Sequence, residues 1–325
     1  MKNVLALRGN IALIALFTLF LSVSAFSQLS LRKALDFDGD NKADFTVFRP
    51  TNNAWYTYKS SNGQFTGTAF GSASQDYMAP GDFDGDGKAD ISVWRDTDGV
   101  WYRLNSNGNT FSGVAFGASG DEPVARDYDG DGKTDQAVVR RSNGSMFWYV
   151  LGSMSGFSGV QFGLSTDYTA PGNYDNDLKF DYAVQRPGAT PASPSTFYIL
   201  RSTNQALDTI QWGVSNDLVV PGDYDGDNIT DIAVVREGST QTSPLNWYIR
   251  KSTDGSLLAA AFGTTGSDLN VQGDYDGDGK TDVAVWRDTN GTFYFLKSSS
   301  PGGSTLDFRQ WGQSGDYPVG SYDTH

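Results

Sequence analysis

The sequence contains no cysteine and a single histidine, the last residue, His325. The absence of cysteine excludes disulfides, thiol nucleophiles and zinc–cysteine sites. One terminal histidine leaves no basis for a Ser-His-Asp triad or a two-histidine metal site. Glutamate is also nearly absent, because Glu122 and Glu237 are the only two among 38 acidic residues. Aspartate is unfavourable inside helices and favourable in turns and oxygen-ligand loops, so the sequence predicts little helix.

Basic side chains are also in short supply. Lysine and arginine total 24 against the 38 acidic residues, and the formal net charge is -14. Such a chain has no surplus of cations to replace the counterions of a phosphate backbone, so we expect no nucleic-acid partner. Glycine, in contrast, is abundant at 38 residues, and 14% of the chain is aromatic. This composition is typical of many short strands joined by tight turns.

The N-terminal segment has the pattern of a secretory signal peptide. A basic start, Lys2 and Arg8, precedes an almost unbroken apolar run over residues 11–23, and small residues follow it. The run is shorter than the roughly 20 residues that a membrane span requires. Residues 1–27 are therefore predicted to be a cleaved signal peptide. Residues 28–325 are predicted to form one secreted domain without a membrane span.

One nine-residue pattern recurs along the chain, and we call its copies Asp loops 1–6. They start 45 to 51 residues apart, at Asp36, Asp82, Asp127, Asn173, Asp223 and Asp274. Each copy belongs to a unit with four strand-like runs, the last of which closes with a glycine after an aromatic residue. Four strands per unit of this length are typical of a β-propeller blade, whereas a β-solenoid, the alternative, normally has shorter repeats. The predicted fold class is therefore all-β.

The number of units predicts the number of blades. Six complete units are followed by a fragment of a seventh, residues 321–325. We therefore expect a six-bladed propeller, closed by pairing between the two chain ends, because a closed ring leaves only short sheet edges. Seven blades is the alternative, and it would need a longer chain.

The Asp loops carry a set of oxygen donors with the spacing of a calcium site. Carboxylates stand at positions 1, 3, 5 and 9, position 7 offers its backbone carbonyl, and glycine at positions 4 and 6 lets the chain fold back. Hard oxygen donors on a flexible loop suit Ca²⁺, whereas Mg²⁺ demands a stricter octahedron. The predicted ligands are Asp36, Asp38, Asp40, Lys42 and Asp44 in loop 1; Asp82, Asp84, Asp86, Lys88 and Asp90 in loop 2; Asp127, Asp129, Asp131, Lys133 and Asp135 in loop 3; Asp175, Asp177 and Asp181 in loop 4; Asp223, Asp225, Asp227, Ile229 and Asp231 in loop 5; and Asp274, Asp276, Asp278, Lys280 and Asp282 in loop 6.

Loop 4 departs from the pattern. Asn173 replaces the first aspartate, and Leu178 stands at position 6, where a left-handed backbone is favourable only for glycine or asparagine. Asn41 and Asn228 occupy the same position in loops 1 and 5 and should be tolerated. The sequence thus predicts five calcium sites and a sixth, weak or empty, at residues 173–181.

The pattern D-x-D-G-D-G-x-x-D, with an apolar strand after it and a later aromatic–glycine pair, resembles the FG-GAP repeat of integrin α-subunit propellers. It is closer still to the bacterial VCBS-type repeat. The likeness covers residues 31–323. It implies a propeller with calcium between the first and second strands of each blade, and a role in adhesion or ligand binding. Integrin-type propellers usually have seven blades, and this sequence departs from them in that respect.

Other residues recur in register with the loops. Thirteen residues after each loop start lies an arginine: Arg49, Arg95, Arg140, Arg186, Arg236 and Arg287. Six residues before five of the loops lies an aspartate: Asp76, Asp121, Asp167, Asp217 and Asp268. We expect arginine–aspartate pairs that tie neighbouring blades, and the alternative is a basic ring that binds anionic glycans. A large aromatic residue on the third strand of each unit is expected to pack between blades.

Units 4 and 5 are longer than the others because their second-to-third strand connections carry inserts, residues 188–196 and 238–245. In a propeller blade this connection lies on the face opposite the Asp loops. Function in repeat proteins tends to concentrate in insertions on one face. The inserts are either linkers whose sequence has diverged without a functional role, or the walls of a ligand site. The residues of that candidate site are Arg186, Tyr198, Arg236 and Glu237.

Together these features predict a secreted calcium-binding propeller that binds an extracellular glycan or protein, as a monomer and without enzymatic activity. A polysaccharide-degrading lyase or hydrolase is one alternative, using paired carboxylates or calcium with an arginine or tyrosine. It is disfavoured because the aspartates are nearly all committed to the loops. A purely structural surface protein is the other alternative.

Overall fold

The computed structural model describes residues 34–320. The predicted signal peptide, residues 1–27, and the fragment 321–325 lie outside the described residues. Apart from two short 3-10 turns, Asp288–Asn290 and Pro301–Gly303, the named elements of this range are 24 short strands. Within the same range, no helix has the length and apolar character needed to cross a membrane.

The strands form six antiparallel four-stranded sheets, which we number as blades 1–6. Their bounds are β1 Phe45–Arg49, β2 Ala54–Tyr58, β3 Phe65–Ala69 and β24 Tyr317–Pro318 in blade 1; β4 Asp76–Met78, β5 Ile91–Arg95, β6 Val100–Leu104 and β7 Phe111–Ala115 in blade 2; β8 Glu122–Pro123, β9 Gln136–Ser142, β10 Ser145–Gly152 and β11 Gly156–Leu164 in blade 3; β12 Tyr168–Thr169, β13 Tyr182–Arg186, β14 Pro194–Leu200 and β15 Leu207–Val214 in blade 4; β16 Leu218–Val219, β17 Ile232–Arg236, β18 Pro244–Arg250 and β19 Leu257–Thr264 in blade 5; and β20 Asp268–Asn270, β21 Val283–Arg287, β22 Thr292–Lys297 and β23 Thr305–Gln310 in blade 6. The predictions of an all-β propeller and of six blades are confirmed.

Blade 1 closes the ring by combining the two ends of the described chain. Its first strand, β24, comes from the C-terminal end and pairs with β1, with Phe48 opposite Tyr317 and Val47 opposite Pro318. The backbone N–H of Val319 then donates to the carbonyl of Thr46 at 2.9 Å. The predicted closure between chain ends is confirmed.

The core lies between the blades and follows from the strand patterns. The second strands are apolar along nearly their whole length because both their faces are covered, as in β17, whose first four residues are all buried. The fourth strands alternate between exposed and covered positions, as in β19. The largest fully buried side chains include the six repeated aromatics of the third strands: Trp55, Trp101, Trp148, Phe197, Trp247 and Phe293. Trp148 of blade 3 lies 5.3 Å from the ring of Tyr182 in blade 4, which confirms packing between blades.

Successive connections alternate between the two ends of the propeller because neighbouring strands are antiparallel. One end, which we call the loop face, carries the Asp loops and the third-to-fourth strand connections. The opposite end, the linker face, carries the second-to-third strand connections and the linkers from one blade to the next. The two inserts therefore lie on the linker face, away from the Asp loops.

Candidate functional site

Five of the six Asp loops are folded around the carboxylate at their first position, and loop 4 has Asn173 there. In loop 1, Asp36 accepts the N–H of Gly39 at 2.6 Å on Oδ1 and that of Asn41 at 2.7 Å on Oδ2. Both donors have a left-handed backbone, with φ of +83° and +67°. A side chain with a β-carbon is strained there unless it is asparagine or aspartate, which explains why glycine and asparagine occupy positions 4 and 6. In loop 4, Leu178 takes the same conformation, with φ of +71°.

Five loops bring three carboxylates together, with one oxygen from each lying within 4.8 Å of the others. Loop 4 is not among them, which agrees with the expectation that its site is the weakest. The clusters are Asp36, Asp38 and Asp40; Asp82, Asp84 and Asp86; Asp127, Asp129 and Asp135; Asp223, Asp225 and Asp231; and Asp274, Asp276 and Asp282. Hard oxygen donors in this number are the donor set of Ca²⁺.

An independent feature of these loops also fits a bound cation. The position-3 carboxylates of four loops each keep one buried oxygen without a hydrogen-bond partner: Asp38, Asp129, Asp175 and Asp225. A buried carboxylate oxygen without a donor loses its hydration and gains nothing in return. A metal ion would compensate these oxygens, so the residues present fit calcium. Loop 4 retains this oxygen too, although it lacks the full cluster.

The aspartate at position 9 has a structural role in addition to its charge. Asp44 is 1% exposed. Its Oδ2 accepts the N–H of Phe37 at 2.8 Å, and its Oδ1 accepts the N–H of Ser60 at 2.7 Å. Burial raises the pKa of Asp44 to about 7. Asp135, Asp231 and Asp282 make the same two kinds of contact, and burial raises each of their pKa values to about 7.

The third-to-fourth strand connections supply hydroxyl and N–H donors to the carboxylates of the Asp loops. The sequence analysis did not predict these contacts. In blade 1, Ser61 Oγ donates to Asp38 at 2.6 Å, and in blade 5 Thr253 Oγ1 donates to Asp225 at 2.6 Å. A serine that reaches the loop recurs in every unit: Ser60, Ser106, Ser153, Ser202, Ser252 and Ser298. It lies 16 to 21 residues beyond position 9 because connection lengths differ, so no fixed spacing reveals it.

The pKa values of these position-9 carboxyls predict how pH affects the calcium-free protein. Each folded-state pKa of about 7 lies above the ordinary 3.8, so the folded state binds more protons than the unfolded state between these values. Stability is therefore greatest at the acidic end of that window and falls as pH rises through about 7. We expect calcium-depleted protein to melt at a higher temperature near pH 5.5 than near pH 8.

Calcium should reverse this order, because protons compete with the metal for the same carboxylates. Thermal unfolding followed by circular dichroism, with and without millimolar calcium at both pH values, checks the prediction. A calcium-depleted protein that becomes more stable as pH rises from about 5.5 to 8 would contradict it.

The six loops are also joined to one another around the ring. The N–H at position 8 of each loop donates to the position-1 carbonyl of the preceding loop, over 2.6 to 2.8 Å. Ala89 thus donates to Asp36, and Ala43 donates to Asp274 to close the cycle. Loop 4 takes part on both sides, because Phe180 donates to Asp127 and Thr230 donates to Asn173.

The linker face carries six bidentate arginine–aspartate pairs. Arg95 donates to Asp76 through Nε at 2.6 Å and Nη2 at 3.0 Å. The aspartate side chains of the six pairs are at most 3% exposed. Each arginine also stacks on a tyrosine ring of its own blade, as Arg186 does on Tyr198 at 4.4 Å. The arginines are therefore committed to structure, which disfavours the alternative of a basic ring for anionic glycans.

The expectation that these pairs tie neighbouring blades was wrong for the ion pair itself. Asp76 and Arg95 face each other on adjacent strands of one blade. The neighbouring blade is reached by a separate contact, because Asp76 Oδ2 also accepts the N–H of Ser72, which follows the last strand of blade 1. Sequence reasoning also missed the sixth partner, Asp316, which pairs with Arg49 at 2.8 Å across the ring closure.

A concavity of about 1100 Å³ opens on the linker face across blades 3, 4 and 5. Of the four residues of the candidate ligand site, Arg236 and Glu237 line it. Arg186 and Tyr198 are not among the lining residues and stack on each other, as described above. Insert 188–196 contributes Pro191 and Ala192 to the wall.

Comparison with known proteins identifies one matching repeat family and two structures of similar fold. Residues 36–93 match the sequence model of the FG-GAP-like repeat. Two solved structures of AofleA from Arthrobotrys oligospora are similar over 89% of this chain and 90% of theirs: a triple arginine-to-alanine mutant at a TM-score of 0.56 and 8% identity, and AofleA itself at 0.53 and 9%. At this identity they show the fold alone. A search of curated protein sequences finds no significant match.

Proposed function

Since the chain folds as a six-bladed β-propeller and its residues 36–93 match the FG-GAP-like repeat, we propose that it is a secreted, monomeric, calcium-loaded module that binds an extracellular glycan or protein. The difference between its two faces carries the proposal. The loop face repeats nearly the same loop six times, whereas the linker face holds both inserts and the concavity. A rigid scaffold that varies at one face is the usual arrangement of a binding module.

Calcium would be held by the clustered carboxylates of loops 1, 2, 3, 5 and 6. Bound there, it supplies positive charge that offsets the repulsion among buried carboxylates and holds each loop in its turn. External calcium at millimolar concentration suits sites of modest affinity. The predicted backbone ligands at position 7 stay predictions. Their N–H groups bond the position-5 carboxylate, as Lys42 does with Asp40 at 2.9 Å, which keeps the turn closed.

The number of bound ions tests the assignment. We expect equilibrium dialysis to find five calcium ions per chain, and four for Asp225→Asn at the free calcium concentration that just saturates the native protein. Asp225 belongs to a cluster and keeps a buried, unpartnered oxygen. The matched change in loop 4, Asp175→Asn, should leave five ions, because that loop lacks the cluster. Loss of an ion in Asp175→Asn but not in Asp225→Asn would contradict the assignment.

Binding itself is tested by presenting the calcium-loaded protein to glycan and extracellular-protein arrays, with the release of reducing ends measured on the same polysaccharides. We expect retention of a ligand and no release of reducing ends. Release would favour the polysaccharide-degrading enzyme. Retention of neither ligand class would favour the structural surface protein and contradict the proposal.

A further inference from the structure

The only two glutamates of the sequence, Glu122 and Glu237, line the same concavity on the linker face. They lie far apart in the chain, on blades 3 and 5. Neither occupies a position where the repeat has glutamate elsewhere. At the position of Glu122 the other blades have Tyr77, Tyr168, Leu218, Leu269 and Tyr317. Two departures from the repeat therefore meet at one place.

The position of Glu237 has a structural role in other blades. It follows the repeated arginine, and in blade 2 Asp96 at this position accepts the N–H of Gly120 in the next linker at 2.7 Å. In blade 6, Asp288 accepts the N–H of Gly315 in the same way at 2.8 Å. These contacts hold the linker that leads to the following blade.

In blade 5, Glu237 does not make this linker contact, because the insert of its own blade holds the linker. The linker after blade 5 is held instead by Thr265, which accepts the N–H of Gly238 at 2.8 Å and donates its own N–H to the carbonyl of Ser243 at 2.9 Å. Glu237 is exposed and makes no hydrogen bond or ion pair within residues 34–320. Its carboxylate is therefore available to a ligand.

Glu122 is held in place, which prepares it as an acceptor. Its Oε2 accepts Arg141 Nη2 at 2.8 Å, and its Oε1 accepts Thr169 Oγ1 at 3.0 Å. Arg141 is fixed in turn by the carbonyls of Ser165 at 2.9 Å and Asp167 at 2.6 Å. The Glu122 side chain is still 41% exposed. A fixed acceptor loses little side-chain entropy when a ligand binds.

An aromatic ring completes the set. Tyr168, on the first strand of blade 4, lines the concavity and is 48% exposed. It makes no ring-to-ring contact within the described range, unlike Tyr77 at the same position in blade 2, which lies 5.8 Å from Trp94. An exposed ring with one polar end suits a ligand that is apolar on one face and hydroxylated at its edge.

The charges of the concavity select the ligand class. Asp167 is paired with Arg186, Asp217 with Arg236, and Glu122 with Arg141. That leaves Glu237 as one uncompensated negative charge, which disfavours acidic ligands. The exposed charged groups that line the concavity are Glu122, Glu237 and the two arginines Arg141 and Arg236, and both arginines already bond a carboxylate. Within the described residues, Glu237 is the one of these groups without a partner, and since it is an acceptor, the ligand must supply a donor to it. Adjacent hydroxyls of a pyranose donate to a carboxylate, and its C–H face packs on a ring.

We propose that this concavity binds a neutral oligosaccharide, with Glu122 and Glu237 accepting its hydroxyls and Tyr168 packing on a sugar face. The proposal rests on the proposed function as a binding module and narrows its ligand. The volume of about 1100 Å³ slightly exceeds the range of ordinary ligand pockets, about 300–1,000 Å³, and so accommodates several sugar units.

The test is titration calorimetry of the calcium-loaded protein with cellotetraose, maltotetraose, mannotetraose and chitotetraose, with tetragalacturonate as the acidic comparison. We expect at least one neutral tetrasaccharide to bind and tetragalacturonate not to bind. Glu237→Gln and Tyr168→Ala should each raise the Kd by about tenfold or more, because they remove a charged acceptor and a packing face. Tyr317→Ala is the matched control, because Tyr317 is 50% exposed at the same position of blade 1 and does not line the concavity.

Melting temperatures of all three variants separate lost binding from lost folding. Neutral saccharide binding that survives both Glu237→Gln and Tyr168→Ala would overturn the site and leave the binding module intact. Binding of tetragalacturonate alone, or of a protein and no saccharide, would overturn the ligand class and again leave the module intact. Absence of every ligand would overturn both proposals.

Discussion

Removal of calcium is expected to lower the melting temperature by about 20 °C or more. A ligand present at about 100 times its Kd stabilises the folded state by about 2.7 kcal/mol per site, so five sites contribute about 13 kcal/mol. In a domain of this size, 1 kcal/mol corresponds to about 2 °C. The carboxylate clusters explain the size of the effect, because without metal their closely spaced charges repel one another. The chain also has no disulfide that would hold it instead.

Differential scanning calorimetry with millimolar calcium, and then with excess chelator, measures this shift. Calcium added back should restore the melting temperature, and magnesium at the same concentration should restore much less, because it demands a stricter octahedron. A melting temperature that does not respond to the chelator would refute calcium loading of the loops.

Loss of the ion pair at the ring closure is expected to be among the most damaging single substitutions away from the Asp loops. Asp316→Ala should lower the free energy of unfolding by about 3–5 kcal/mol, the usual cost of removing one partner of a buried ion pair. The Asp316 side chain is 1% exposed and bonds both Nε and Nη2 of Arg49 at 2.8 Å. It also accepts the N–H of Gln313 at 3.0 Å. β24 and β1 come from opposite ends of the described chain and pair over two residues, so the ion pair reinforces a short pairing that no Asp loop connects.

Two control variants distinguish the effect of losing the ring-closure contact from the effect of losing an ion pair elsewhere in the protein. Asp307→Ala removes an exposed ion pair with Lys297 and should cost less than about 1 kcal/mol. Asp217→Ala removes the equivalent pair of blade 5, where the first and second strands are continuous in the chain. Urea unfolding should rank the loss as greatest for Asp316→Ala and smallest for Asp307→Ala. Equal losses for Asp316→Ala and Asp307→Ala would show that the seam does not depend on this contact.

The sequence predicted the propeller, its six blades and the five carboxylate clusters because each depends on residues that repeat in register. It wrongly placed each arginine–aspartate pair between neighbouring blades, because the spacing of two residues in the sequence does not show which strands are adjacent in the fold. The strand register shows the missing step, since counting back through the Asp loop sets Asp76 opposite Arg95. The partner Asp316 was missed because its segment is one residue shorter than the others.

Features outside the repeat were harder to predict. The glutamates of blades 3 and 5 stand out as rare residues, yet only the folded chain brings Glu122 and Glu237 to one concavity. Arg186 was assigned to the same site from its neighbourhood in sequence, but it bonds Asp167 and stacks on Tyr198. Side-chain contacts of this kind depend on tertiary packing, and no periodic pattern in the sequence indicates them.

The hydrogen-bonded cycle of loops has a consequence for how such a protein can change over evolutionary time. Loop 4 has lost a carboxylate and gained Leu178, yet its backbone is still held by Asp127 on one side and by Thr230 on the other. A loop in this cycle can therefore accumulate substitutions at its ligand positions without losing its place in the ring. The number of ions that the protein holds is thus free to drift, while the architecture that presents the opposite face stays the same.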